Sequence, residues 1–201
     1  MKTALALCCA TLLASAMAGP PEVVKLPGVT VVTGKDGPRL ELPGKVATTN
    51  GILEFLVCEV EGRDYESLLT VTAKPSVFQS ALLLIGCETG QTTRVHLELA
   101  WGTNHHVAVE SWLIDRNTKR PPGPLQWTFN GSRFVKHPVT GKQVFQADEE
   151  RAHIALWFQS AIPVNLTGEF GNPYKHEAQG FEVNTTNVPP VGTPVTLILR
   201  P

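Results

Sequence analysis

The sequence predicts an α+β domain, a mainly antiparallel sheet with one principal α-helix over residues 76–85, on three observations. Apolar and polar residues alternate along several short runs, the period of a half-buried strand. One stretch alone sets apolar residues at helical spacing between a start signal and a stop signal. Seventeen Gly and 16 Pro among 201 residues supply turns enough to join many short elements. Composition removes other classes. Seventeen Lys and Arg against 18 Asp and Glu give a net charge of −1, whereas an electrostatic nucleic-acid binder carries a basic excess. With 42% apolar residues and little net charge, the chain is not of disordered composition. Four cysteines are too few for a disulfide-dense scaffold.

Residues 1–18 read as a secretory signal peptide. Lys2 supplies a positive charge, residues 4–14 are apolar, and Ala16-Met17-Ala18 places small residues at a cleavage site before Gly19. The apolar run of about 11 residues is shorter than the ~20 that a spanning helix needs. Leu7 precedes Cys8 where a lipoprotein signal has a small residue, so no lipid anchor is expected at Cys8 or Cys9. No later stretch is long and apolar enough to span a bilayer. The expected location is periplasmic or extracellular.

Residues 19–44 are rich in Pro and Gly and read as an extended lead-in with one short strand at 29–33. Runs at 52–60 and 65–72 are strand-like, separated by the turn-type spacer Glu61-Gly62-Arg63-Asp64. Pro75 ahead of Ser76 suits the first turn of a helix, and Gly86 stands where a helix stops. Val77, Ala81, Leu84 and Ile85 define an apolar stripe that Leu82 and Leu83 widen. Leu84 is therefore expected to be buried. Val95, Leu97, Leu99 and Trp101 then alternate with polar residues. A five-residue loop over 102–106 leads into a strand over 107–114, a hairpin that sets Trp101 opposite Val107 and Glu98 opposite Glu110. The segment 115–124 is a loop, 125–135, 144–146 and 154–158 are strands, 168–180 is irregular, and 193–199 is the last strand.

Several segments resemble, in order, motifs of the YdjY-domain family. They are Tyr65-Glu66-Ser67-Leu68-Leu69, Ala73-Lys74-Pro75-Ser76, Ala81-Leu82-Leu83-Leu84-Ile85-Gly86 with Gly90, Trp127-Thr128-Phe129-Asn130-Gly131-Ser132, and Val188-Pro189-Pro190-Val191-Gly192-Thr193-Pro194-Val195. The resemblance spans residues 45–201 and implies a single domain there, in an exported bacterial protein of uncharacterised function. Some members carry ferredoxin-type cysteine motifs. This chain has none, so no cofactor is carried over. Related sequences often have His where this chain has Tyr65, which weakens a catalytic or metal role at that position.

Four sets of residues are candidates for chemistry. Glu66 and Ser67 fall in a strand-like run, where neighbours point to opposite faces and cannot share one site. Leu68 and Leu69 suggest a strand covered on both sides, so Glu66 needs a partner, such as Lys74 or an Arg. Ser132 follows Gly131 without the G-x-S-x-G pattern of a nucleophile elbow and reads as a turn residue. With Glu66, Ser67 and Lys74 it completes the candidate binding set. His96, Glu98 and Glu110 share one face in the expected hairpin register and form a candidate cation site, which a two-residue slip would dismantle. In an exported chain Cys58 and Cys87 read first as a disulfide, closing a loop of about 29 residues for roughly 3.5 kcal/mol. The alternative is two buried thiols. His105 and His106 fall in the hairpin loop, while His137, His153 and His176 show no spacing signal.

No nucleophile–base pair, phosphate loop or zinc spacing is present. The reading is an exported non-enzymatic binding or envelope-associated module for an unknown envelope or extracellular ligand, with no catalytic residue assigned. The alternative is a hydrolase-like or metal-dependent enzyme centred on Glu66 or the His96/Glu98/Glu110 hairpin face.

Overall fold

A computed structural model describes residues 21–89, 93–168, 170–175 and 179–201. The expected signal peptide, Gly90 and His176 lie outside the described residues. In chain order the strands are β1 (Glu22–Leu26), β2 (Val29–Thr33), β3 (Arg39–Val46), β4 (Ile52–Leu53), β5 (Phe55–Glu59) and β6 (Ser67–Val71). Helix α1 (Pro75–Leu84) follows, then β7 (Thr93–Trp101), β8 (His105–Ala108), β9 (Leu113–Asp115), β10 (Trp127–Phe129), β11 (Phe134–Lys136) and β12 (Gln143–Phe145). A short helix α2 (Gln146–Glu150) precedes β13 (Ala152–Ala155), β14 (Val164–Leu166), β15 (Phe181–Val183) and β16 (Pro194–Arg200).

The expectation of an α+β domain is corrected. Strands run in the order β3-β16-β7-β10-β14-β13-β5-β6, and β6 pairs back onto β3, so eight strands close into a barrel. The fold is mainly β, with two helices among the described residues. Closure leaves the eight barrel strands without a free edge, while β1 remains the edge of the sheet outside it. Closure occurs at Gly44, where a Cβ would stand 2.6 Å from the carbonyl oxygen of Thr70. Only a residue without a side chain permits that approach. The segment read as a lead-in supplies β1, β2 and the barrel strand β3. β3 forks, pairing β2 through residues 39–41 and β6 through residues 44–46, and Pro43 stands in the gap between the two pairings.

Alternation fills the barrel. Leu42, Leu197 and Leu99 lie in register across β3, β16 and β7, with Leu40, Leu199 and Leu97 in the next inward row. All six are buried, while Glu41 and Glu98 between them face out. β5, β6 and β13 are covered on both faces, as the adjacent Leu68 and Leu69 suggest. Helix α1 packs on β2 and β13. Its ends match the sequence reading to within one residue, but its phase does not. Phe78, Ala81, Leu82 and Ile85 are buried, whereas Leu84 is 56% exposed. In a run of nearly continuous apolar residues, two i, i+3, i+4, i+7 stripes are available. The larger Phe78 takes the core, leaving Leu83 and Leu84 at the surface.

Candidate functional site

The parallel ladder between β5 and β6 sets Phe55 beside Ser67. Glu54 and Glu66, each one residue earlier, are therefore neighbours at the starts of the two strands. The Glu54 amide donates to the Glu66 carbonyl at 2.9 Å. Glu66 is not on a regular strand. It ends a 3₁₀ turn, Asp64–Glu66, that feeds β6. Ser67 starts the strand, fully buried, and its hydroxyl donates to the Arg63 carbonyl at 2.7 Å, which fixes the turn. Glu54 and Glu66 are 7% and 5% exposed.

Arg63 stands among them. Its Nη2 donates to Glu150 at 2.7 Å, and the guanidinium lies 5.1 Å from the Phe55 ring centroid. Its Nη1 is 3.7 Å from Glu54 and 4.0 Å from Glu66, too far for a hydrogen bond to either. Gln159 donates to Glu54 Oε1 at 3.2 Å. The indole of Trp157 lies beside Glu54, but its buried N–H has no acceptor in hydrogen-bond geometry among the described residues. Burial, reinforced by the charge of Glu66, raises the pKa of Glu54 despite the opposing Arg63. Tyr174 and Tyr65 flank Glu66. Burial and the adjacent carboxylate push the Tyr174 phenol up to about 12, and the charge of Glu66 raises that of Tyr65.

Three carboxylates thus surround one guanidinium, and the two most buried are the two least well paired. Such a cluster has chemistry in reserve: it can accept a positively charged donor, or hold a proton on Glu54. Of the candidate binding residues, Glu66 and Ser67 belong here. Lys74 does not, being exposed at the N-cap of α1. Arg63 takes the part considered for Lys74. Ser132 is elsewhere as well. Its amide and carbonyl bond to the Gln79 side chain, and its hydroxyl accepts the Ala147 amide at 3.2 Å, tying α1 to the start of α2. Glu54, Arg63, Glu150, Trp157 and Tyr174 escaped sequence reasoning. A lone carboxylate inside the apolar run Ile52-Leu53-Glu54-Phe55-Leu56 was the one available signal.

The cation site expected from His96, Glu98 and Glu110 is not assembled. Trp101 pairs with His105 instead of Val107, and Glu98 with Ala108. The loop is shortened to residues 102–104, entered at Gly102 with φ of +59°. Trp101 stacks on His105 with centroids 4.8 Å apart, which holds this register. Beyond Ala108 the chain coils into a 3₁₀ turn, Val109–Trp112, which takes Glu110 off the strand. Glu98 bonds to Arg200 at 2.9 Å and His106 at 3.1 Å, while Glu110 accepts the Leu125 amide at 3.0 Å. Partial burial alone would push Glu98 up, but Arg200 and His106 outweigh it and hold the carboxyl below its ordinary range. No group of three or more His, Cys, Asp or Glu is placed to hold a metal ion among the described residues.

The expected disulfide is also corrected. Cys58, on β5, and Cys87, just after α1, are free thiols, both buried. Burial pushes the Cys87 thiol up to about 11 and raises that of Cys58. Each packs as a small apolar side chain.

The chain matches no protein-family model, no curated protein and no solved structure.

Proposed function

We propose that the protein is an exported binding module that takes up a cationic group, such as an amine or guanidinium, at the cluster of Glu54, Glu66 and Tyr174. One observation carries this reading. Two buried glutamates share a single guanidinium that hydrogen-bonds to neither, because its closest contact goes to Glu150. A structural ion pair of the same residues would close to hydrogen-bond distance, since buried charge left loosely paired is costly. A donor bearing positive charge satisfies the spare carboxylate oxygens. Export rests on the Ala16-Met17-Ala18 pattern after a short apolar run, and the ordered YdjY-like motifs point the same way.

The test is isothermal titration of the intact protein with spermidine and with arginine ethyl ester. Binding is expected, weakened by at least about tenfold in Glu66→Gln, with the melting temperature of that variant measured alongside. Absence of heat with both cations, or equal binding in Glu66→Gln, overturns the reading. A hydrolase-like role has one observation in its favour, the raised pKa of Glu54 beside the carboxyl group of Glu66, the arrangement of an acid and its partner. It requires turnover of a model glycoside or ester that Glu54→Gln abolishes.

A further inference from the structure

The hairpin β11–β12 stands apart from the barrel. Its two strands pair with each other and with no other strand among the described residues. A two-stranded ribbon is marginal in water by itself, and this one keeps apolar side chains at its surface. Val139, in the turn, is 87% exposed, the most exposed large apolar side chain among the described residues, and Phe134 is 66% exposed. Gln79 of α1 bonds to Ser132 at the base of the hairpin, and Leu83, one turn further along that helix, is exposed as well. Single exposed apolar residues are ordinary, but several gathered at one protrusion mark a contact surface.

The charge there is of one sign. Residues 133–145 hold Arg133, Lys136 and Lys142, all exposed, and no Asp or Glu, in a chain of net charge −1. Lys136 lies three residues before Val139 and Lys142 three after it. Alternation puts Lys136 on one face of the ribbon, with Phe134, and Lys142 on the other, opposite His137. Of the carboxylates on α2, Glu149 lies 3.7 Å from His137 Nε2, while Asp148 is held by Ser76 and Glu150 by Arg63. The turn also uses up its own backbone donors. The His137 amide donates to the Lys142 carbonyl at 2.8 Å, and that of Gly141 to the His137 carbonyl at 2.9 Å. The Val139 and Thr140 amides both donate to His137 Nδ1 at 3.2 Å, and the Lys142 amide to the Thr140 hydroxyl at 3.4 Å. Pro138 has no N–H. Water would satisfy such groups in an ordinary exposed turn. A tip that leaves water needs them paired internally.

We infer that this hairpin attaches the protein to the surface of a bilayer that carries anionic phospholipid. Pro138 and Val139 enter the boundary between headgroups and acyl chains, about 5–10 Å deep. Lys136 and Lys142, about 10 Å of strand from Val139, then stand at the level of the phosphates on the two faces of the ribbon. Their apolar stems follow the tip while the ammonium groups stay with the headgroups. Charge complementarity selects an anionic surface, and the apolar tip selects a bilayer over a soluble polyanion. A polyanion would leave Val139 and Phe134 in water, and it would find no free backbone N–H in the turn to bind its anionic groups.

Sedimentation of the intact protein with lipid vesicles tests the inference. Vesicles of equal parts phosphatidylglycerol and phosphatidylcholine are expected to carry the protein down at low salt, and vesicles of phosphatidylcholine alone to carry far less. Lys136→Gln and Lys142→Gln should each weaken partition by about fivefold, with melting temperatures measured alongside to show that both variants stay folded. Val139→Trp reports the tip directly, because an indole that enters the bilayer shifts its emission to the blue. Three results overturn the proposal: no sedimentation with the anionic vesicles, equal partition of both lysine variants and the parent, or an unmoved Val139→Trp emission in protein that still sediments. The last of these would assign the hairpin to polyanions in solution. Glu66→Gln should sediment as the parent does, which separates a failure here from a failure of the carboxylate cluster.

Discussion

Ser76 and Asp148, 72 residues apart, are joined by two hydrogen bonds, from the Ser76 amide to Oδ1 at 2.8 Å and from its hydroxyl to Oδ2 at 2.7 Å. Helix α1 has no capping side chain of its own, because Lys74 occupies its N-cap. Asp148 supplies the missing acceptor from α2 and places a negative charge at the positive end of the α1 dipole. Asp148→Ala is expected to cost about 1–2 kcal/mol, read by denaturant titration. Asp148→Asn should lose less, because it keeps one of the two acceptors, for the Ser76 amide, while losing the charge and the second acceptor. Equal stability of all three proteins would show that the contact contributes nothing.

The phase of α1 makes a second prediction. Leu82 is fully buried and Leu84 is 56% exposed. Truncation of Leu82 to Ala should cost about 2–5 kcal/mol, and Leu84→Ala no more than about 0.5 kcal/mol. Chemical denaturation of the pair decides it, and a larger loss at Leu84 than at Leu82 would invert the helix orientation described above.

His153 predicts how stability depends on pH. It is fully buried, edge-on to Phe78, and donates from Nε2 to the Ala73 carbonyl at 2.8 Å, while its Nδ1 has no partner among the described residues. Burial lowers its pKa from 6.5 to about 4. Between those values the unfolded chain binds a proton that the folded chain refuses, so stability is complete above the upper value and falls as pH drops towards the lower. The loss amounts to about 3 kcal/mol. His153→Gln keeps a donor for Ala73 and cannot titrate, so its stability should lack that part of the slope between pH ~4 and ~6.5. A parent protein as stable at the acid end as at neutrality would refute a neutral buried imidazole.

The sequence by itself determined what is set within a few residues. Pro75 and Gly86 bracket the helix because a missing N–H is harmless in a first turn and a left-handed cap suits glycine. The alternation along residues 95–101 determined which face of β7 is buried, and residues 193–199 were legible as the last strand for the same reason. Tertiary structure decided everything that depends on register between distant segments. Barrel closure brings Gly44 against Thr70, a pairing that no local period encodes. The phase of α1 was ambiguous in an apolar run and was settled by where Phe78 fits. Glu98 finds Arg200, 102 residues away, only because β7 and β16 are neighbours, and this dissolves the trio that a two-residue change of hairpin register would have formed. Glu54, the Arg63–Glu66 turn and Glu150 come from three places in the chain and meet only when β5 pairs with β6 and α2 folds back beside them. A side chain's chemistry is written in the sequence, but its neighbours are chosen by strand pairing, and the carboxylate cluster is made of neighbours.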